Sequence, residues 1–225
     1  MGVVRAVRRR IVCYGDSNTY GYDPRAYLGG RHPRSARWTA LLESAGWFPV
    51  NEGENGRCIP KQSQDAGILA HILRREEAEL AVVMLGSNDL LRQAVPSAEA
   101  CTERMGQFLS MLLEVIPPSC QILLTAPPPM KLGTWADHSE ALLEESRRLA
   151  GCYEALARKL GVFFADAGAW NIDLSFDGVH FSEQGHRAFA EGMLKILEQI
   201  VEPVNRESGS PSLPRKPAVP PTESP

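Results

Sequence analysis

No excess of charge, no paired cysteine spacing and no long apolar run marks this chain. Its 225 residues carry 24 Lys and Arg against 27 Asp and Glu, a formal net charge of −3. That balance supplies no electrostatic footprint for nucleic acid or an anionic membrane. The one basic run, Arg8-Arg9-Arg10, is too short to alter it. No stretch is long enough to span a bilayer. The five cysteines, Cys13, Cys58, Cys101, Cys120 and Cys152, are odd in number and form no C-x-x-C pair. Such a set argues against a disulfide framework or a zinc site, and for a reducing compartment. The basic N-terminus runs into Ile11-Val12-Cys13-Tyr14 and then polar residues, which is no signal-peptide core. Ala6 stands where a myristoylation signal needs Ser or Thr. The expected location is cytoplasmic.

Familiar site motifs are missing as well. There is no G-x-S-x-G elbow, which excludes an ordinary α/β-hydrolase. No G-x-G-x-x-G or G-K-[ST] run offers a dinucleotide or P-loop site, and no H-E-x-x-H offers a metal. His32, His71, His138 and His186 read as surface or internally satisfied residues. No cofactor and no metal are expected.

What remains is an ordinary globular composition, 44% hydrophobic and 23% charged, with enough chain for one well-cored domain. Short apolar runs alternate with helix-period segments. Strands are expected at 11–14, 48–51, 80–85, 121–126 and 162–164. Helices are expected at 38–45, 68–74, 98–116, 140–160 and from Ser182, a cap, to about Val201. Gly161 reads as a helix-closing residue. Continuous apolar strands alternating with helices predict a three-layer α/β/α fold around a five-stranded parallel sheet. Right-handed crossovers favour the flavodoxin-like order 2-1-3-4-5. Residues 9–202 form the expected domain, after a flexible stretch at 1–8. The Pro- and Ser-rich residues 203–225 cannot bury enough apolar surface to fold and are expected to be disordered.

That strand order gives four scattered pieces a common address. Ser17 follows the first strand, Gly56 the second and Asn88 the third, and in the order 2-1-3 those strands are neighbours. Their carboxyl ends open on the crevice where such sheets bind ligands. Ser17 is either a nucleophile or a helix-capping serine. His180, with Asp177 three residues earlier, is either an oriented base or part of an Asp-Gly turn. Asn88 is an oxyanion donor or a turn residue. Gly56, with Gly53 as rival, offers a backbone N–H that can be approached closely. His180 follows the fifth strand at the far edge, so the loop 165–179 must carry it back over the sheet.

Jointly these pieces resemble the SGNH (GDSL-type) esterase and lipase superfamily. Tyr14-Gly15-Asp16-Ser17-Asn18 is similar to its first block and Asn51 with Gly56 to its second. Gly86-Ser87-Asn88-Asp89 is similar to the third, and Asp177-Gly178-Val179-His180 to the fourth. The resemblance implies Ser17 as nucleophile, His180 as base and Asp177 as its orienter. It implies an oxyanion hole of the Ser17 and Gly56 N–H groups and the Asn88 amide. Asn18 departs from the Leu that many members carry there, which bears on pocket shape. Ala126-Pro127-Pro128-Pro129 with Gly178-Val179-His180-Phe181 resembles the short-chain arylesterase and acyltransferase branch. The implied activity is hydrolysis or transfer of short acyl groups from a small-molecule ester through an acyl-Ser17 intermediate. A carbohydrate O-acetylesterase is the alternative enzyme, with Trp38, Trp135, Trp170 and Phe181 as candidate sugar-site aromatics. A flavodoxin-like phosphate- or nucleotide-binding module is the alternative without catalysis. Oligomeric state stays open.

Overall fold

The computed structural model describes residues 9–26, 30–134 and 138–207. In chain order they form β1 (Arg10–Gly15), α1 (Ser17–Tyr20), α2 (Trp38–Ser44), β2 (Phe48–Gly53), α3 (Ser63–Arg75), β3 (Leu80–Met84) and α4 (Ser87–Arg92). Then come α5 (Ala98–Val115), β4 (Gln121–Ala126), α6 (Glu140–Leu160), β5 (Phe163–Asp166) and α7 (Glu183–Glu207). All strand pairs are parallel, in the order β2-β1-β3-β4-β5. The architecture is the expected one.

Alternation along the central strands builds the layers, because successive side chains point to opposite faces. Val12, Tyr14, Ala81, Val83, Ile122 and Leu124 enter one core with Leu69 of α3, Phe108 of α5 and Tyr153 of α6. Ile11, Cys13, Val82, Met84 and Leu123 enter the other with Trp38 and Leu42 of α2 and Phe189 of α7. A sheet buried on both sides cannot slip by one residue without exchanging its two cores. The carboxyl ends of β1 and β3 are therefore fixed in register, with Gly15 opposite Met84.

Helix ends follow local chemistry. Ser97 and Ser139 accept backbone N–H groups at the starts of α5 and α6. Ser182 Oγ accepts the Gly185 N–H at 3.0 Å, the cap expected for α7. Gly161 closes α6 in the left-handed region at φ 68°. α7 continues to Glu207, past the expected end near Val201 and into the first residues assigned to the tail. The expected flexible segment 1–8 and residues 208–225 lie outside the described residues, as does Trp135. Two short helices were not expected, α1 and α4, of four and six residues. Both sit where a central strand delivers the chain into the crevice. Among the described residues, no helix is long and apolar enough to cross a membrane.

Candidate active site

The crevice lies over the carboxyl ends of β2, β1 and β3. As the chain leaves β1, Asp16 is the residue that caps α1: its Oδ1 accepts the Asn18 N–H at 3.0 Å. Ser17 is thus the first helical residue and not the cap, so its hydroxyl is free for other work. Burial pushes the Asp16 carboxyl up to about 6, against the opposing pull of the Asn18 N–H, His180 and Arg57.

The far-edge histidine does come back. After β5 the chain makes a short 3-10 turn at Ala167–Trp170, and an antiparallel bridge pairs Leu174 with Phe181. Ser175 N–H donates to the His180 carbonyl at 2.7 Å. His180 Nε2 then lies 2.9 Å from Ser17 Oγ. On the other side of the ring, His180 Nδ1 meets Asp177 Oδ2 at 2.5 Å. Asp177 Oδ1 accepts the backbone N–H groups of Val179 and His180, each at 3.0 Å. Burial alone would raise the Asp177 carboxyl. The His180 ring and the two N–H groups outweigh it and hold the carboxyl below its usual range. The intervening turn requires glycine. Gly178 sits at φ 71°, and a Cβ there would lie 2.0 Å from the Lys131 carbonyl oxygen.

Asn88 bonds next to both other oxyanion candidates, to Arg57 beside Gly56 and near Asp16 beside Ser17. Asn88, on the first turn of α4, donates its amide to the Arg57 carbonyl at 3.1 Å and lies 3.5 Å from Asp16 Oδ2. Gly53 is removed as a rival of Gly56: its N–H already donates to Asn51 Oδ1 at 3.0 Å. Among the described residues, none accepts the Gly56 N–H. Asp89 ties the two donor loops together, since its Oδ2 accepts the Ile59 N–H at 2.9 Å and its Oδ1 faces Arg104.

Several further residues surround this centre. Arg57 stacks over Tyr14, donates to the carbonyls of Gly15 and Glu52, and pairs with Glu54. Asn51 donates to the Thr19 carbonyl at 2.7 Å and so holds β2 against α1. Tyr22 lies beside the His180 ring, with centroids 4.8 Å apart. His138 Nε2 donates to the Asp177 carbonyl at 2.9 Å. His32 is buried and only half satisfied: its Nε2 bonds to the Phe181 carbonyl, while its Nδ1 has no hydrogen-bond partner among the described residues and lies 3.8 Å from Asp23 Oδ2; His71 is exposed. His186 departs from expectation: it is fully buried and neither ring nitrogen has a partner among the described residues. Trp38 and Phe181 are core residues, 1% and 0% exposed, and cannot line a sugar site. Asn18, 3% exposed, shapes no pocket wall either.

The family model for the GDSL-like lipase/acylhydrolase family matches residues 13–188. The chain belongs to that family. Its fold and esterase-class neighbours agree, and the protein is an SGNH-type carboxylic ester hydrolase. A solved carbohydrate acetylesterase family member from Sinorhizobium meliloti is 28% identical, covers 86% of this chain and 99% of its own, and superposes with a TM-score of 0.73. The aryl esterase of M. smegmatis is 26% identical, covers 86% of this chain and 98% of its own, with a TM-score of 0.69. No curated protein matches the sequence.

Proposed function

We propose that this SGNH-type hydrolase cleaves short acyl groups from small carboxylic esters, by hydrolysis or transfer to an alcohol, through an acyl-Ser17 intermediate. The observation that carries the proposal is the unbroken line Ser17 Oγ–His180 Nε2 at 2.9 Å and His180 Nδ1–Asp177 Oδ2 at 2.5 Å. In that line His180 takes the Ser17 proton as the hydroxyl attacks the ester carbonyl. Asp177 fixes the proton on Nδ1 and stabilises the imidazolium. The Ser17 and Gly56 N–H groups and the Asn88 amide receive the oxyanion. The protonated His180 gives its proton to the departing alcohol, leaving acyl-Ser17. His180 then activates water or a second alcohol to release the acyl group. Water and alcohol compete for the same intermediate, so hydrolysis and transfer are two exits from one path.

A nucleotide-binding reading of the Gly15–Gly21 loop has little left to use. The Asn18, Thr19 and Tyr20 N–H groups are spent on Asp16, and the Gly21 N–H on the Ser17 carbonyl. The deciding experiment pairs p-nitrophenyl esters, from acetate to long acyl chains, with phosphonate labelling. Short esters are expected to turn over fastest, with one label per chain, on Ser17. Retention of most activity by Ser17→Ala would overturn the proposal.

A further inference from the structure

The residue after the nucleophile is buried, polar and turned away from the crevice. Asn18 Nδ2 donates to the Val179 carbonyl at 3.1 Å, and Asn18 Oδ1 accepts the Phe181 N–H at 2.9 Å. These are the two backbone groups on either side of His180. One side-chain amide takes both.

The opposite edge of the same segment is held independently. The His180 carbonyl accepts from Ser175, and the His180 N–H goes to Asp177. Asn18 in turn is fixed at its own backbone. Its N–H donates to Asp16 Oδ1 and its carbonyl accepts the Trp38 indole N–H at 3.1 Å. The amide thus links two segments 163 residues apart, at the point where their side chains must meet.

We infer that Asn18 is a positioning residue for catalysis: its amide clamps residues 179–181 to α1 and so sets the distance between Ser17 Oγ and His180 Nε2. This rests on the acyl-Ser17 reading and adds a requirement to it. Asn18 touches neither substrate nor the reacting atoms. It acts by holding His180 to within a fraction of an ångström of its working place, and a displacement near 1 Å costs about 10²-fold in rate. Leucine at this position matches the volume but offers neither hydrogen bond, leaving a half-buried carbonyl and a buried N–H unpaired.

The test compares Asn18→Leu and Asn18→Ala with the unaltered protein and with Ser17→Ala. Steady-state kinetics on p-nitrophenyl acetate run beside fluorophosphonate labelling and thermal melting. For Asn18→Leu the expected result is a fall in kcat of about 10²-fold and KM within about threefold. The phosphonate is expected to label one site per chain but with a rate constant lowered like kcat. Full labelling at a reduced rate separates misplacement of His180 from loss of folded protein. If Asn18→Leu does not fold, Asn18→Ala, which relieves any crowding, carries the same expectation. Either variant retaining kcat within threefold, or losing rate only in proportion to unlabelled chains, overturns the inference. Those outcomes leave the acyl-Ser17 reading standing as long as Ser17→Ala is inactive and unlabelled. An active Ser17→Ala overturns the reading itself.

Discussion

Asn88 and Asp16 face each other across 3.5 Å and answer to different forces. On the proposed mechanism Asn88 meets charge that exists only in the transition state. Asn88→Ala is therefore expected to lower kcat by about 10²–10³ with much less change in KM, measured on a short p-nitrophenyl ester. An equal loss shared with KM would mean that the amide binds the ground state. Asp16 meets charge in the resting protein. Its carboxyl, at 3.8 when unfolded and pushed to about 6 by burial, binds its proton more tightly in the folded state. Stability from this residue is present at acid pH and lost as pH rises through about 6. The gap corresponds to roughly 3 kcal/mol. Asp16→Asn keeps an acceptor for the cap and never ionises. Relative to the unaltered protein it is expected to gain stability between pH 4 and 7, read from denaturant midpoints. A constant difference across that range would contradict the assignment.

The elements that place these residues are very short, and turn chemistry governs them more than periodicity does. Gly86 joins β3 to α4 at φ 127°, where a Cβ would lie 2.8 Å from the Tyr153 hydroxyl and 3.1 Å from Leu149 Cδ2. Gly86→Ala is expected to destabilise the protein by about 2 kcal/mol or more and to lower kcat by shifting Asn88. A thermal melt with kinetics on the folded fraction checks both. This is also where the sequence was least readable. The five strands and the long helices were legible because apolar runs and 3.6-residue spacing persist over many residues. Four-residue α1 is too short to show a period, and Ser17 stayed open between nucleophile and cap because serine and aspartate cap equally well. Ser17 and Asn88 were legible as motif residues at strand ends, and Asp177 with His180 as a motif in the loop after β5. The roles of Asn18, Arg57, Asp89 and His138 were not, although Asn18 and Asp89 stand in motif blocks, because their bonds run to groups brought near only by the fold.

At the scale of the whole molecule, the two cores differ in their response to acid. The core beneath α2 and α7 meets His186, whose imidazole burial, with His32 and Arg37 nearby, drives down to about 3. A histidine at 6.5 unfolded and about 3 folded binds fewer protons in the folded state. Its contribution is full above pH 6.5 and lost as pH falls toward 3, at about 1.4 kcal/mol per pH unit within that window. His186→Leu removes the titrating group while keeping an apolar contact for Phe181. It is expected to flatten the decline of stability between pH 6 and 4, as followed by urea unfolding at fixed pH. An unchanged slope would place the acid sensitivity elsewhere. The other core carries no such histidine: Cys101 and Cys120 are thiols that burial holds near 12, so they stay neutral throughout.

On the proposed mechanism the nucleophile is synthesised well before its base. A growing chain already bears the serine loop when β1 emerges, but the imidazole arrives only after β5, when all five strands have been made. On that mechanism a polypeptide that ends before His180 leaves the Ser17 hydroxyl without its proton acceptor and is silent toward esters. Ester turnover in this architecture thus doubles as a certificate of completion, and its first appearance during cell-free synthesis would time the closing of the sheet.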